Sequence, residues 1–121
     1  MPDPVMLQHE ITTTTATIDA GASLSAGIRL PNAHYLAAIL LPAAWTAAGI
    51  TFQGSADGVT YGDIHASDGT ELTLTVAAGQ LVTLTADALR AVPFLKVRSG
   101  TAAVAVNQAA ARTLTLITRQ L

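Results

Sequence analysis

The chain has 121 residues, half of them hydrophobic, but only 12% charged and 4% aromatic, with a net charge of −2 and no cysteine. That length fits one domain able to bury a core without staples, and the absent thiols exclude disulfide frameworks, thiolate metal sites and cysteine nucleophiles. Six scattered cations argue against a nucleic-acid surface, and the low charge with high apolar content argues against disorder.

Residues 1–9 (MPDPVMLQH) carry two prolines, which deny regular pairing, followed by the apolar cluster Val5, Met6 and Leu7. They read as an N-terminal arm ahead of a single domain spanning 10–121. Two readings stay open: a lead-in that packs on its own domain, or an arm that docks on another subunit. The basic and apolar regions of a signal peptide are missing, so the chain is expected to start near Met1 and to be made in the cytoplasm.

Alternation of polar and apolar residues then dominates, and a period of two means strands with one face buried. Glu10–Ile18 is a polar, Thr-rich first strand, suited to an edge, and a turn at Asp19 to Ala22 leads to Leu24–Leu30. Tyr35–Leu41 is nearly all apolar, as in a central strand covered on both sides, and Pro42 ends it. The apolar run through Trp45 is too short to span a bilayer. Ala43–Ala48 reads as a short helical turn or a loop.

Ile50–Gln53 and Val59–Ile64 follow, separated by Asp57-Gly58, and Asp68-Gly69 comes eleven residues later. Asp-Gly supplies the positive φ of tight turns, so an antiparallel meander is expected. Glu71–Val76, Gln80–Leu84, Phe94–Arg98, Ala103–Val106 and Thr113–Thr118 complete the strand pattern. One helical turn is expected near 85–92, with Thr85 as its cap, Asp87 in its first turn and Pro93 closing it. The fold class is therefore all-β: an antiparallel β-sandwich, jelly-roll-like, of eight or nine short strands.

The chemical inventory is thin. His9, His34 and His65 lie far apart, and no phosphate loop or nucleophile elbow occurs. Most aspartates fall in turns, where the side chain satisfies local backbone donors. Asp57, Asp63 and Asp68 would be the oxygen ligands of a calcium site, but no EF-hand spacing supports one. Neither glutamate, Glu10 or Glu71, is flagged as one of a catalytic pair. Lys96 and Arg98 alternate with Leu95 and Val97 and mark a wet strand face. The expectation is no catalytic, cofactor or metal site. Trp45 reads as a core plug; alternatively Trp45 and Tyr61, with Asp57 and Asp63, would form a carbohydrate-contacting platform.

The segments LPAAWTAAGITFQGSADGVTYGDIHASDGTELTLTVAAGQLVTL and PFLKVRSGTAAVAVNQAAARTLTLITR carry a more specific signal. Their recurring features are Pro42-Ala43-Ala44-Trp45-Thr46, the Phe52-Gln53 to Asp57-Gly58-Val59-Thr60-Tyr61 hairpin, Phe94 to Thr101, and Arg112-Thr113-Leu114. Across roughly residues 22–119 the chain resembles a family of small virion proteins of alphaproteobacterial tailed phages and prophages. It also resembles, in size, organisation and N-terminal arm, the head-spike base proteins of gene transfer agents. The resemblance implies a non-enzymatic structural protein on the head surface, as decoration or spike base. Its implied partners are further copies of itself in a ring (pentamer or trimer), the major capsid protein, and a spike or fibre protein; no membrane or nucleic-acid partner is implied. The alternative is a tail or baseplate module that binds host surface carbohydrate.

Overall fold

A computed structural model describes residues 10–85 and 88–121. Its described residues form eight strands and no helix: β1 (Ile11–Ile18), β2 (Ile28–Arg29), β3 (His34–Leu40), β4 (Ile50–Ser55), β5 (Gly62–Asp63), β6 (Leu81–Thr83), β7 (Phe94–Ser99) and β8 (Arg112–Gln120).

Two antiparallel four-stranded sheets run in the orders β1-β8-β3-β6 and β2-β7-β4-β5. Strands β1 and β8, β2 and β7, β3 and β6, and β4 and β5 are partners. The chain is thus one long hairpin folded over on itself, the arrangement of an eight-stranded jelly roll. No barrel closes.

Alternation built both long strands. On β8, Leu114, Leu116 and Thr118 point inward and are fully buried, while Thr113 and Arg119 are exposed. On β1, Ala16 and Ile18 are buried, and Thr13, Thr15 and Thr17 face water. Strand β3 carries a bulge between Leu36 and Ala38. The extra residue turns both Leu36 and Ile39 inward, where a regular strand would put them on opposite faces. The core closes with Ile50 and Phe52 of β4 and Leu95 and Val97 of β7. Leu89, 1% exposed, plugs it from the connection between β6 and β7.

Several expected strands shrink. Leu24–Leu30 pairs only through Ile28–Arg29 and a bridge from Leu24 to Arg98. Glu71–Val76 forms bridges only at Glu71 and Leu74, although Leu72, Leu74 and Val76 pack on the core. Ala103–Val106 keeps one bridge, Ala105 to Gly100. The meander survives in reduced form: β5 pairs with β4, and His65 bridges Glu71 around Gly69 at φ +90°. Ala43–Ala48 is loop. Around 85–92, Ala88 N–H donates to the Thr85 carbonyl and Val92 N–H to Leu89, which makes turns rather than a regular helix. The expected position of Asp87 lies outside the described residues.

Candidate functional site

The Trp45 loop is braced from the far end of the chain. Gln108 is fully buried. Its amide nitrogen donates to the Thr46 carbonyl at 3.0 Å and to Ser99 Oγ at 2.7 Å, while its amide oxygen accepts from Thr46 N–H at 2.8 Å. Trp45 is half-buried against the core, and its indole N–H donates to the Ala48 carbonyl at 3.1 Å. Its polar handle is thus engaged within its own loop, as for a plug.

Tyr61 is elsewhere. Its loop lies beside the start of β7, whereas the Trp45 loop is tied through Gln108 to Ser99 at the end of β7. The structure therefore does not bring Trp45 and Tyr61 together. Tyr61 lines a shallow cleft of about 450 Å³ with Arg29, Phe94, Lys96, Val59 and two glycines. Lys96 Nζ sits 4.5 Å from the Tyr61 ring centre, and the Arg29 guanidinium 5.9 Å from that of Phe94. Such contacts hold each cation over the negative face of a ring. Gly27 lies directly under the Tyr61 hydroxyl, and a Cβ at Gly58 would stand 3.0 Å from the Phe94 ring. Both positions need a residue without a side chain. Gly58, at φ +79°, also needs the left-handed backbone.

The three candidate aspartates, Asp57, Asp63 and Asp68, each already have partners. Asp57 Oδ1 accepts from Val59 N–H at 2.8 Å and Thr60 N–H at 3.0 Å, and Ser55 Oγ donates to it at 2.9 Å. These bonds hold its carboxyl below the usual carboxylate range, the Thr60 amide first among them. Asp68 is lowered in the same way by the hydroxyl and amide of Thr70. Asp63 faces Arg98, whose Nη1 and Nη2 donate to Oδ1 at 2.9 and 2.6 Å. Glu71 approaches the same guanidinium at 3.6 Å. Arg98 is 7% exposed, so alternation misplaced it: these acids cover it, while Lys96 on the same face of β7 is half-buried beside the Tyr61 cleft. Asp57, Asp63 and Asp68 do not converge, and no group of three His, Asp or Glu able to hold a metal occurs among the described residues.

One constellation was not foreseen. Glu10 Oε1 lies 3.0 Å from His34 Nε2, His34 Nδ1 lies 3.0 Å from Thr118 Oγ1, and Thr118 Oγ1 lies 2.6 Å from Thr12 Oγ1. Acid, imidazole and hydroxyl stand in the order of a hydrolase triad. Thr118 is fully buried, so no substrate carbonyl reaches it. The chain of bonds instead ties together the starts of β1 and β3 and the end of β8. The sequence signal was a lone histidine opening an apolar run, which periodicity does not decode.

The arm residues Val5, Met6 and Leu7 lie outside the described residues. Compared with known proteins, the chain matches no family model and no curated sequence.

Proposed function

We propose that the chain is a non-enzymatic structural subunit of a tailed-phage-like particle, attached to the head surface as decoration or as the base of a spike. One structural observation carries the reading. On the outer face of the β1-β8-β3-β6 sheet, the strand residues are Thr, Ile, Leu, Ala and Tyr, with Arg119 the only charge. A face so poor in charge costs little to desolvate and suits packing within an assembly. The jelly-roll strand order is one that capsid and lectin domains share, which supports the reading by analogy of fold. The resemblance to head-spike base proteins supplies the particle and its partners: copies of the same chain in a ring, the major capsid protein, and a spike or fibre protein. Val5, Met6 and Leu7 supply the docking arm.

Gold-labelled antibody on intact particles, viewed by electron microscopy, tests the location. Label on heads is expected; label at the tail tip, or protein left free in the lysate, overturns it. Deleting residues 1–9 is expected to abolish attachment while leaving the sandwich folded.

The Tyr61 cleft favours a second reading, a tail or baseplate module that contacts carbohydrate. Aromatic rings backed by Arg29 and Lys96 suit a saccharide bearing carboxylates. Trp45, Asp57 and Asp63 do not line this cleft. Calorimetric titration with an acidic host polysaccharide tests it: heat of binding lost in both Tyr61→Ala and Lys96→Ala is expected under this reading, and no heat counts against it.

A further inference from the structure

We infer that the charge-poor outer face of the β1-β8-β3-β6 sheet is a self-association surface, stacking on the same face of a second copy about a two-fold axis. The inference rests on the reading of the chain as an assembly subunit but not on any particle location, and it concerns a surface distinct from the arm.

The face has a centre. Thr15 pairs with Thr115, Thr115 with Leu40, and Leu40 with Leu81, so these four residues form one row across all four strands. Leu40 and Leu81 are 41% and 57% exposed, side by side in water. Towards one end of the face two threonine hydroxyls already pair with each other, Thr17 Oγ1 lying 3.1 Å from Thr113 Oγ1. Hydroxyls already hydrogen-bonded are cheaper to bury than free ones.

The face also has two ends of opposite charge. Arg119 pairs with Ile11 at one end and has no ion-pair partner among the described residues. At that same end Arg90 covers Tyr35, 5.4 Å from the ring centre, and Glu10 turns its carboxylate inward to His34 Nε2 at 3.0 Å, so Arg119 is the one outward strand charge there. At the other end Asp19 follows Ile18, exposed and without a side-chain partner among the described residues. Arg112, also at that end, turns away to Gln108 at 3.3 Å.

Thr15 is midway between Ile11 and Asp19. A two-fold axis along the Thr15-Thr115-Leu40-Leu81 row therefore lays the Arg119 end of each copy over the Asp19 end of the other. The leucines meet at the middle, and the opposite charges meet twice. That complementarity selects a second copy as the occupant, because the face matches itself only when inverted. The strands of this sheet have 8, 9, 7 and 3 residues, which at about 3.4 Å per residue and about 4.8 Å between strands give roughly 440 Å² per copy, or roughly 900 Å² for the pair. That is just under the roughly 1,000 Å² of a stable interface and fits a weak, concentration-dependent dimer. The opposite sheet offers no such face: its outward positions include Arg29, Lys96 and the Arg98–Asp63 pair.

Sedimentation equilibrium on the purified full chain tests the inference. The expected species is a dimer of the 12.4 kDa chain. Leu81→Lys sets two ammonium groups at the centre and is expected to leave a monomer. Arg119→Asp and Asp19→Arg are each expected to weaken the dimer about tenfold, since each breaks two rim pairs, and the double reversal is expected to restore it. Thermal melts of every variant control for folding. A monomeric wild-type chain overturns the inference and leaves residues 1–9 or another protein as occupant. So does a dimer, trimer or pentamer that ignores both Leu81→Lys and the charge reversals. Such a ring on labelled heads leaves the particle reading standing, whereas a Leu81-dependent dimer with unlabelled particles does the reverse.

Discussion

Both Nη nitrogens of Arg98 close on a single carboxylate oxygen of Asp63, at 2.9 and 2.6 Å. The same guanidinium donates through Nε to Thr51 Oγ1 at 3.1 Å, and the Thr51 hydroxyl donates to the Gly100 carbonyl at 2.8 Å. β4, β5 and β7 are thereby joined through side chains across their shared outer surface. Removing the guanidinium leaves the buried Thr51 hydroxyl and the half-buried Glu71 without their cation. Arg98→Ala is expected to cost about 3 kcal/mol, the low end for a buried pair because Asp63 is partly exposed. Lys96→Ala, two residues earlier on the strand, is expected to cost less than about 1 kcal/mol. Urea midpoints of the two variants check the contrast. Arg98→Lys should recover little, since an ammonium cannot reproduce the fork.

Gln108 fills both ends of its amide with partners on two other segments, Thr46 and Ser99. Gln108→Leu keeps the approximate volume but leaves the Thr46 amide and carbonyl without their partners. A loss of about 2–6 kcal/mol is expected, from two orphaned backbone groups at about 1–3 kcal/mol each. Tryptophan fluorescence should report it as well, because Trp45 is held in that loop.

Acid sensitivity follows from Asp57 and Asp68. Both are lowered from the ordinary value of 3.8 by hydrogen bonds that exist only in the folded chain. The unfolded chain therefore takes up these protons first, so the stabilisation is fully present above about pH 4–5 and is lost as pH falls through the lowered folded values. Asp57→Asn is expected to flatten this acid limb of the stability curve. Chemical denaturation of wild type and variant at descending pH measures it.

Ala33 adopts φ +62° in the turn before β3, a left-handed conformation that strains a residue with a Cβ. Ala33→Gly should relieve that strain, partly offset by the greater freedom of glycine in the unfolded chain, for a net gain of about 0.5 kcal/mol. A thermal melt shows the sign. Gly100, at φ +89°, is the converse case: a Cβ there would stand 2.5 Å from the Val104 carbonyl oxygen. Gly100→Ala is expected to destabilise by more than about 2 kcal/mol, by the same measurement.

Periodicity made the sandwich legible where backbone ladder and side-chain alternation coincide. β1 and β8 show the pattern and pair along their length, from Ile11 with Arg119 to Ile18 with Arg112. Glu71–Val76 shows it equally well, yet Leu72, Leu74 and Val76 pack on the core with only isolated bridges beneath them. Burying alternate side chains does not require a continuous ladder, and the sequence carries no mark that separates the two cases. The polar clusters were less legible still. Arg98 alternates like a surface residue and is buried by acids from elsewhere in the chain, and Gln108 sits among alanines that give no hint of its partners. Pairings over such separations are set by topology. Tyr61 was singled out for its ring, but its neighbours Arg29 and Lys96 reach it from β2 and β7.

The strand β8 fills the gap between β1 and β3, and its Thr118 meets Thr12 across 106 residues of sequence. In a chain emerging from the ribosome β1 has no partner strand, and β3 only β6, until β8 is free. Until then the buried sides of β1 and β3 have no sheet to share, and the long hairpin cannot wrap. Assembly of this domain is therefore a late event, governed by the search for distant contacts rather than by local turns, and slow for its size.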